Sequence, residues 1–227
     1  MIRLTIVTLM LTLAPLVSAE ARNDQRPDIF VDVASLAPGL IVEMRYATPH
    51  NFVGVPIEGY EKPVCYLTRP AAAALAQVVK DLEPRGLTLK VYDCYRPERA
   101  VAHFVRWARN LGDQKMKAEF YPQVDKSTLF RDGYIASRSG HSRGSTADLT
   151  VASFADGKAL EMGTPFDFFS PRSWPSDRSI SAEAQKNRAL LAQAMARRDF
   201  RPYDKEWWHF TLRHEPYPET YFDFPVR

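Results

Sequence analysis

The feature that most constrains the fold is a pair of short polar stretches, far apart in the chain, that carry complementary groups. They are Ser139-Gly140-His141-Ser142-Arg143-Gly144-Ser145-Thr146-Ala147-Asp148 and Glu206-Trp207-Trp208-His209. The first offers an imidazole and a carboxylate, with glycines that let the backbone turn sharply. The second offers a carboxylate and an imidazole in one short segment. Two His, one Asp and one Glu are what a catalytic zinc site asks for: three protein ligands, a fourth position open to water, and a base beside that water. Each stretch alone is a weak signal. His and Asp sit together in many polar loops, and Glu206 with His209 fits a polar edge beside two buried tryptophans. Context strengthens the pair: Ala147-Asp148-Leu149-Thr150-Val151 reads as the entrance to a buried strand. An aspartate there is costly to bury unless something cationic compensates it.

The rest of the chain reads as a scaffold for this pair. Residues 29–33 alternate apolar and polar as a short strand, and Leu40 to Tyr46 is a second strand candidate. A Gly/Pro/Asn-rich loop covers 47–63. Thr68 followed by Pro70 opens a helix to about Leu82, ended by Pro84-Arg85-Gly86, with an alanine face for close packing on a sheet. Leu87 to Asp93 has period two and reads as a central strand; a helix follows from Pro97 through Trp107. Residues 112–136 carry no clear pattern. Residues 155–179 form an apolar, irregular connection of the kind that packs over a pocket. Ser181 to Arg198 reads as an amphipathic helix with Ser181 as N-cap. One difficulty is visible at once. On an ideal strand Glu206 and His209 point to opposite faces, so a bulge at Trp207-Trp208 is needed to bring both to one site.

Composition narrows the setting. The 227 residues are 45% hydrophobic and 25% charged, which fits one compact domain with an ample core. The net charge of +3 includes no basic run or aromatic–basic interleaving, which argues against a nucleic-acid partner. Residues 1–19 read as a secretory signal: Arg3 at the positive end, an apolar run from Leu4 to Leu16, and Val17-Ser18-Ala19 as a cleavage site. That run is short for a membrane span. The expected organisation is a signal peptide over 1–19 and a catalytic domain over 20–227, exported to a periplasm or secreted, without stable membrane association after cleavage. Cys65 and Cys94 are an even pair suited to an oxidising compartment, and a disulfide between them is plausible. It is expected away from the metal. Cys94 as a nucleophile is the weaker reading, because no histidine accompanies it.

These residues carry a family resemblance. Ser139-x-His141-x-x-Gly144-x-Thr146-x-Asp148 followed by Glu206-x-x-His209 resembles the zinc D,D-peptidases, and in detail the D-alanyl-D-alanine dipeptidases of the vancomycin-resistance (VanX) type, related to the VanY-type carboxypeptidases. Matching stretches in the same order are Arg45-Tyr46-Ala47-Thr48 with Asn51-Phe52, Asp93-Cys94-Tyr95-Arg96-Pro97, and Met162-Gly163-Thr164-Pro165-Phe166-Asp167. One departure is Thr146, where the broader pattern has alanine. The resemblance runs from about residue 29 to the C-terminus. It implies an α+β fold in one domain, a central mostly antiparallel sheet flanked by helices, and a zinc site in a cleft at the sheet.

The resemblance also implies roles. One zinc per chain is held by His141, Asp148 and His209, with Glu206 as general base. Arg96 stabilises the developing oxyanion, although its residue type also fits a structural pair with Asp93 or Glu98. Asp167 pairs with the ammonium of a small D,D-dipeptide, or else caps a turn. Ser139, Tyr46, Trp207 and Trp208 are implied substrate contacts. His50, His103 and His214 are not expected as ligands. The expected activity is hydrolysis of D-alanyl-D-alanine to free D-alanine. The alternative is a zinc D,D-carboxypeptidase or endopeptidase on peptidoglycan stem peptides, which needs an open groove and no ammonium partner.

Overall fold

The computed structural model describes residues 24–227, so the signal expected over 1–19 lies outside the described residues. The elements in chain order are β1 (Phe30–Asp32), β2 (Ile41–Val42), β3 (Tyr66–Thr68), α1 (Arg69–Leu82), β4 (Leu87–Asp93), α2 (Glu98–Arg109), α3 (Lys117–Phe120), β5 (Thr146–Ser153), α4 (Ala182–Ala196), β6 (Phe200–Tyr203) and β7 (Glu206–Leu212). Five strands form the main sheet in the order β2-β4-β5-β7-β6. β2 runs parallel to β4, and the other neighbouring pairs are antiparallel. β1 and β3 form a separate antiparallel ribbon. The fold is α+β, with a mostly antiparallel sheet flanked by helices.

The local reasons for these elements are plain in the packing. α1 buries Ala71, Ala72, Leu75, Ala76, Val78, Val79 and Leu82, a helical-period stripe whose small residues allow close approach to β3 and β4. Thr68 does not cap it through its side chain; its hydroxyl bonds Ser145 Oγ at 2.8 Å instead. β4 lies between β2 and β5 and β5 between β4 and β7. Both are buried along most of their length, as interior strands must be. Cys65 and Cys94 are disulfide-bonded with Cα atoms 5.3 Å apart, tying the start of β3 to the end of β4.

Several elements differ from expectation. The strand expected over Leu40 to Tyr46 is confined to Ile41–Val42, and Arg45–Ala47 is a 3-10 turn. Glu43 pairs with Arg45 at 2.8 Å and Lys90 at 3.1 Å, and the turn then carries Tyr46 into the core. Residues 112–136 fold around Lys126, whose ammonium donates to Asn110 O at 2.8 Å and lies 4.0 Å over the Trp107 ring. α4 begins as expected, with Ser181 Oγ accepting from Ala184 N at 3.1 Å. Its inward face is not purely apolar, however: Asn187 and Arg188 are buried beside Leu191 and Met195. β6 had no counterpart in the sequence reading.

Candidate active site

The two polar stretches converge at the centre of the sheet. Asp148 near the start of β5 lies directly across from His209 on β7 in the antiparallel register. His141 comes from the 3-10 turn Gly140–Arg143 just before β5; Ser139 Oγ accepts from His141 N at 3.3 Å, and Gly144 closes the turn at φ +79°. A side chain at Gly144 is excluded twice over, by that left-handed φ and by the Phe30 ring, which an added Cβ would meet at 2.1 Å. The expected bulge is present on β7. Pro202 of β6 pairs with Phe210 and Tyr203 with Glu206, so Trp207, Trp208 and His209 are out of register with β6. The irregularity lets Glu206 and His209 share one face.

The donor atoms fit a tetrahedral metal. His141 Nε2 lies 3.2 Å from Asp148 Oδ2 and 3.3 Å from His209 Nδ1, and His209 Nδ1 lies 3.0 Å from Asp148 Oδ1. A tetrahedral zinc with ligands at about 2.0–2.1 Å has ligand–ligand edges of about 3.3 Å. His141 Nδ1 lies 2.7 Å from the carbonyl oxygen of Cys94, a bond it makes by donating its N–H, which leaves the Nε2 lone pair facing the cluster. Asp148 Oδ1 is buried without a hydrogen-bond donor. His209 Nδ1 is close to it but not in hydrogen-bonding geometry, so a buried carboxylate oxygen is left for a cation to satisfy. Burial would raise the Asp148 carboxyl, but the His141 and His209 imidazoles outweigh it and hold the carboxyl well below the usual range. Among the described residues, His141, Asp148 and His209 are the one such cluster of His, Cys, Asp or Glu donors.

Around the cluster is a cleft of about 240 Å³, lined in part by Tyr46, Arg96, Ser139, Asp167, Glu206 and Tyr203. Glu206 Oε2 is 3.5 Å from His209 Nδ1. Burial pushes its carboxyl up to about 7, with His209 pulling the other way. Arg96 makes the expected structural pair with Asp93 and also reaches toward the cluster. Its Nε and Nη2 bond Asp93 Oδ2 at 2.9 and 2.8 Å, and the same Nη2 is 3.6 Å from Asp148 Oδ2. Asp93 is held from the other side by the Tyr60 hydroxyl at 2.6 Å. Asp167 is buried at the cleft wall with φ +59°, and its Oδ2 accepts from the Tyr46 hydroxyl at 2.8 Å. Burial raises its carboxyl well above the ordinary value, and nearby Asp148 adds to this.

Two implied contacts are corrected. Trp207 and Trp208 do not line the cleft. Both are buried; Trp207 Nε1 donates to Thr164 Oγ1 at 2.9 Å, and Trp208 packs edge-on against Phe166. The bulge that turns Glu206 and His209 to the cleft leaves the two indoles in the core. Tyr203, whose ring lies 5.4 Å from His209 at the rim, carried no sequence signal; only the pairing of β6 with β7, Tyr203 opposite Glu206, brings it there. His103 accepts from Glu58 N at 3.2 Å and His50 contacts Glu119 at 2.6 Å, both outside the cluster.

A sheet-centred cluster of two imidazoles and a carboxylate, with a second carboxylate beside it in a small cleft, is the arrangement of a metal-dependent hydrolase. The chain belongs to the D-ala-D-ala dipeptidase family of peptidases, whose sequence profile matches residues 27–227. It is 40% identical over 197 residues to a D-alanyl-D-alanine dipeptidase of Streptomyces coelicolor, covering 87% of this chain and 98% of that one. A D-alanyl-D-alanine dipeptidase of Enterococcus faecium is 38% identical over 198 residues, with the same shares covered. One from Escherichia coli is 35% identical over 182 residues, covering 80% of this chain and 83% of the relative.

Proposed function

We propose that this metallopeptidase is an exported zinc enzyme that hydrolyses free D-alanyl-D-alanine to D-alanine. The observation that carries the reading is the convergence of His141, Asp148 and His209 on one point, with Glu206 and Asp167 in the same cleft. His141, Asp148 and His209 would hold the zinc. Zinc in such a site supplies Lewis acidity and lets a water act as nucleophile near neutral pH.

The remaining chemistry falls to the side chains. Glu206 takes the proton of the attacking water and returns it to the leaving amine. Arg96, locked by Asp93 with one nitrogen near Asp148, donates to the oxygen that gains charge in the tetrahedral state. Asp167 accepts the substrate ammonium, which gives a buried carboxylate the partner that burial otherwise denies it. The Tyr46 hydroxyl holds that carboxylate in place, and Ser139 contacts the substrate beside the metal. A partner for the ammonium one residue from the scissile carbonyl favours a dipeptide over a longer chain.

The proposed organisation is a signal over 1–19 and a catalytic domain over 20–227; the Cys65–Cys94 bond supports an oxidising compartment. No helix among the described residues is long and apolar enough to cross a membrane. The test compares D-Ala-D-Ala with an N-acylated stem peptide on protein stripped of metal and then reconstituted with zinc. Zinc-dependent release of D-alanine from the dipeptide alone is expected, and Asp167→Ala should erase the preference. Efficient cleavage of the acylated peptide by the unmodified enzyme would move the reading to a carboxypeptidase.

A further inference from the structure

Asp167 is an awkward residue to hold still. Its φ of +59° lies in the left-handed region, which a non-glycine residue occupies only when its surroundings insist. One hydrogen bond, from the Tyr46 hydroxyl, restrains its carboxylate. The segment that carries it, 161–174, has no regular structure beyond the short turn Pro171–Ser173. Something else must fix its backbone, because a binding group displaced by about 1 Å loses much of its effect.

The fixing groups come from α4 and β7. Arg188 is 6% exposed and makes no ion pair with a carboxylate among the described residues. Its guanidinium instead spans the base of the loop. Nε donates to Met162 O at 2.7 Å on the incoming side. Nη1 donates to Trp174 O and Nη2 to Arg172 O, each at 2.9 Å, on the outgoing side. Asn187, next to it, donates to Glu161 O at 2.9 Å. The planar fork of Arg suits this task, since it fixes several acceptors in one geometry where an ammonium cannot. Burying the charge without a directly paired carboxylate is costly, and Asp177 and Glu161 act on it only from a distance. That cost points to a requirement other than stability.

A second chain of bonds runs inside the loop. Trp207 Nε1 donates to Thr164 Oγ1 at 2.9 Å, Thr164 Oγ1 bonds Ser173 Oγ at 3.0 Å, and Ser173 Oγ donates to Phe168 O at 2.6 Å. Since the Ser173 proton is committed to Phe168 O, the Thr164 hydroxyl is the donor to Ser173. This chain links β7, one residue from Glu206, to the residue after Asp167.

We propose that Arg188 and Thr164 are positioning residues for Asp167, and that selection for a free ammonium is set by this clamp on the loop rather than by the carboxylate alone. The proposal rests on the reading of Asp167 as the ammonium partner. Neither residue lines the cleft, so neither touches substrate; they act by fixing the backbone on either side of Asp167. The metal cluster stands on β5, β7 and the His141 turn, and does not depend on the clamp.

The test uses zinc-loaded wild type, Arg188→Met, Arg188→Lys and Thr164→Val, with kcat and KM measured on D-Ala-D-Ala and N-acetyl-D-Ala-D-Ala and zinc content measured on each. In Arg188→Met, KM for the free dipeptide is expected to rise about ten- to a hundredfold with kcat within about threefold, and preference for the free dipeptide to fall at least about tenfold. Zinc content should be unchanged. Arg188→Lys should fall between, and Thr164→Val, which removes the inner chain together with the 3.4 Å bond from Arg188 Nη2 to Thr164 Oγ1 but keeps the three bonds from Arg188 to backbone carbonyls, should move in the same direction. If Arg188→Met does not fold, Thr164→Val and Arg188→Lys decide the matter. Wild-type selectivity in the folded variants overturns the clamp, as does parallel loss of both activities together with zinc. An Asp167→Ala enzyme that keeps wild-type selectivity overturns the ammonium reading itself, and the clamp with it.

Discussion

Glu206 has a carboxylate 3.5 Å from His209 Nδ1, and burial lifts its titration from 4.5 to about 7. Because the folded state binds this proton more tightly than the unfolded chain, its contribution is favourable below about pH 4.5 and fades as pH rises to about 7. In metal-free protein, stability should therefore fall over that window by up to about 3 kcal/mol, less to the extent that solvent reaches the carboxylate. Glu206→Gln should flatten the fall, as read from denaturant midpoints of the two proteins at pH 5 and 7.5. A Glu206→Gln protein with the full wild-type pH dependence would assign the effect elsewhere, Asp167 being the next candidate. The same variant separates fold from chemistry. It should retain its zinc while turnover drops by about two to four decades, the scale of lost positioned acid–base help. Arg96→Ala should cost about two to three decades in kcat and also unpair buried Asp93. A structural role alone would lower the melting temperature and leave kcat in place.

At the level of elements, the site depends on how sharply the chain can turn beside two strands. Gly144→Ala should be severely disruptive, since the Cβ meets the Phe30 ring at 2.1 Å and φ is +79°. A loss of about 2–4 kcal/mol in a urea titration is expected, at the level of an overpacked core combined with strained backbone. Reduced zinc uptake should follow, because His141 rides on the same turn; a Gly144→Ala protein of wild-type stability would remove the steric argument. Elements with strong local periodicity were legible in the sequence: α1, β4 and β5 stand close to where alternation and helix signals put them. The group His141, Asp148, His209 and Glu206 was visible as residue types, and the need for a bulge on β7 followed from strand geometry. What pattern could not reveal was the direction of the indoles. Trp207 and Trp208 fit a cleft wall and a core equally well until the register shift opposite Pro202 decides. β6 escaped notice because its exposed residues, Arg201 to Tyr203, give no buried alternation. Arg188 escaped because an arginine in a helix reads as surface, and its acceptors lie 14 to 26 residues away.

Across the whole molecule, the Cys65–Cys94 bond joins stability, address and metal site. It links β3 to β4 over a separation of 29 residues, a closure worth about 3–4 kcal/mol on chain-entropy grounds. Its sulfurs were expected away from the metal, and it is the backbone of Cys94 that reaches the site: the Cys94 carbonyl lies 2.7 Å from His141 Nδ1. The cross-link therefore restrains the group that sets the tautomer of a candidate ligand. Breaking it should have two separable effects. In a denaturant titration, the Cys65→Ala, Cys94→Ala protein should lose about 3–4 kcal/mol. Under native conditions, where the fold persists, its zinc affinity measured against a competing chelator should weaken by about tenfold, the low end for a disturbed partner of a ligating histidine. Loss of stability with unchanged affinity would confine the bond to chain entropy. If the enzyme is exported as proposed, protein recovered from a periplasm should show no free thiol when unfolded without reductant. Two titratable thiols there would contradict the proposed address, because a buried pair this close is left reduced only where the compartment keeps it so.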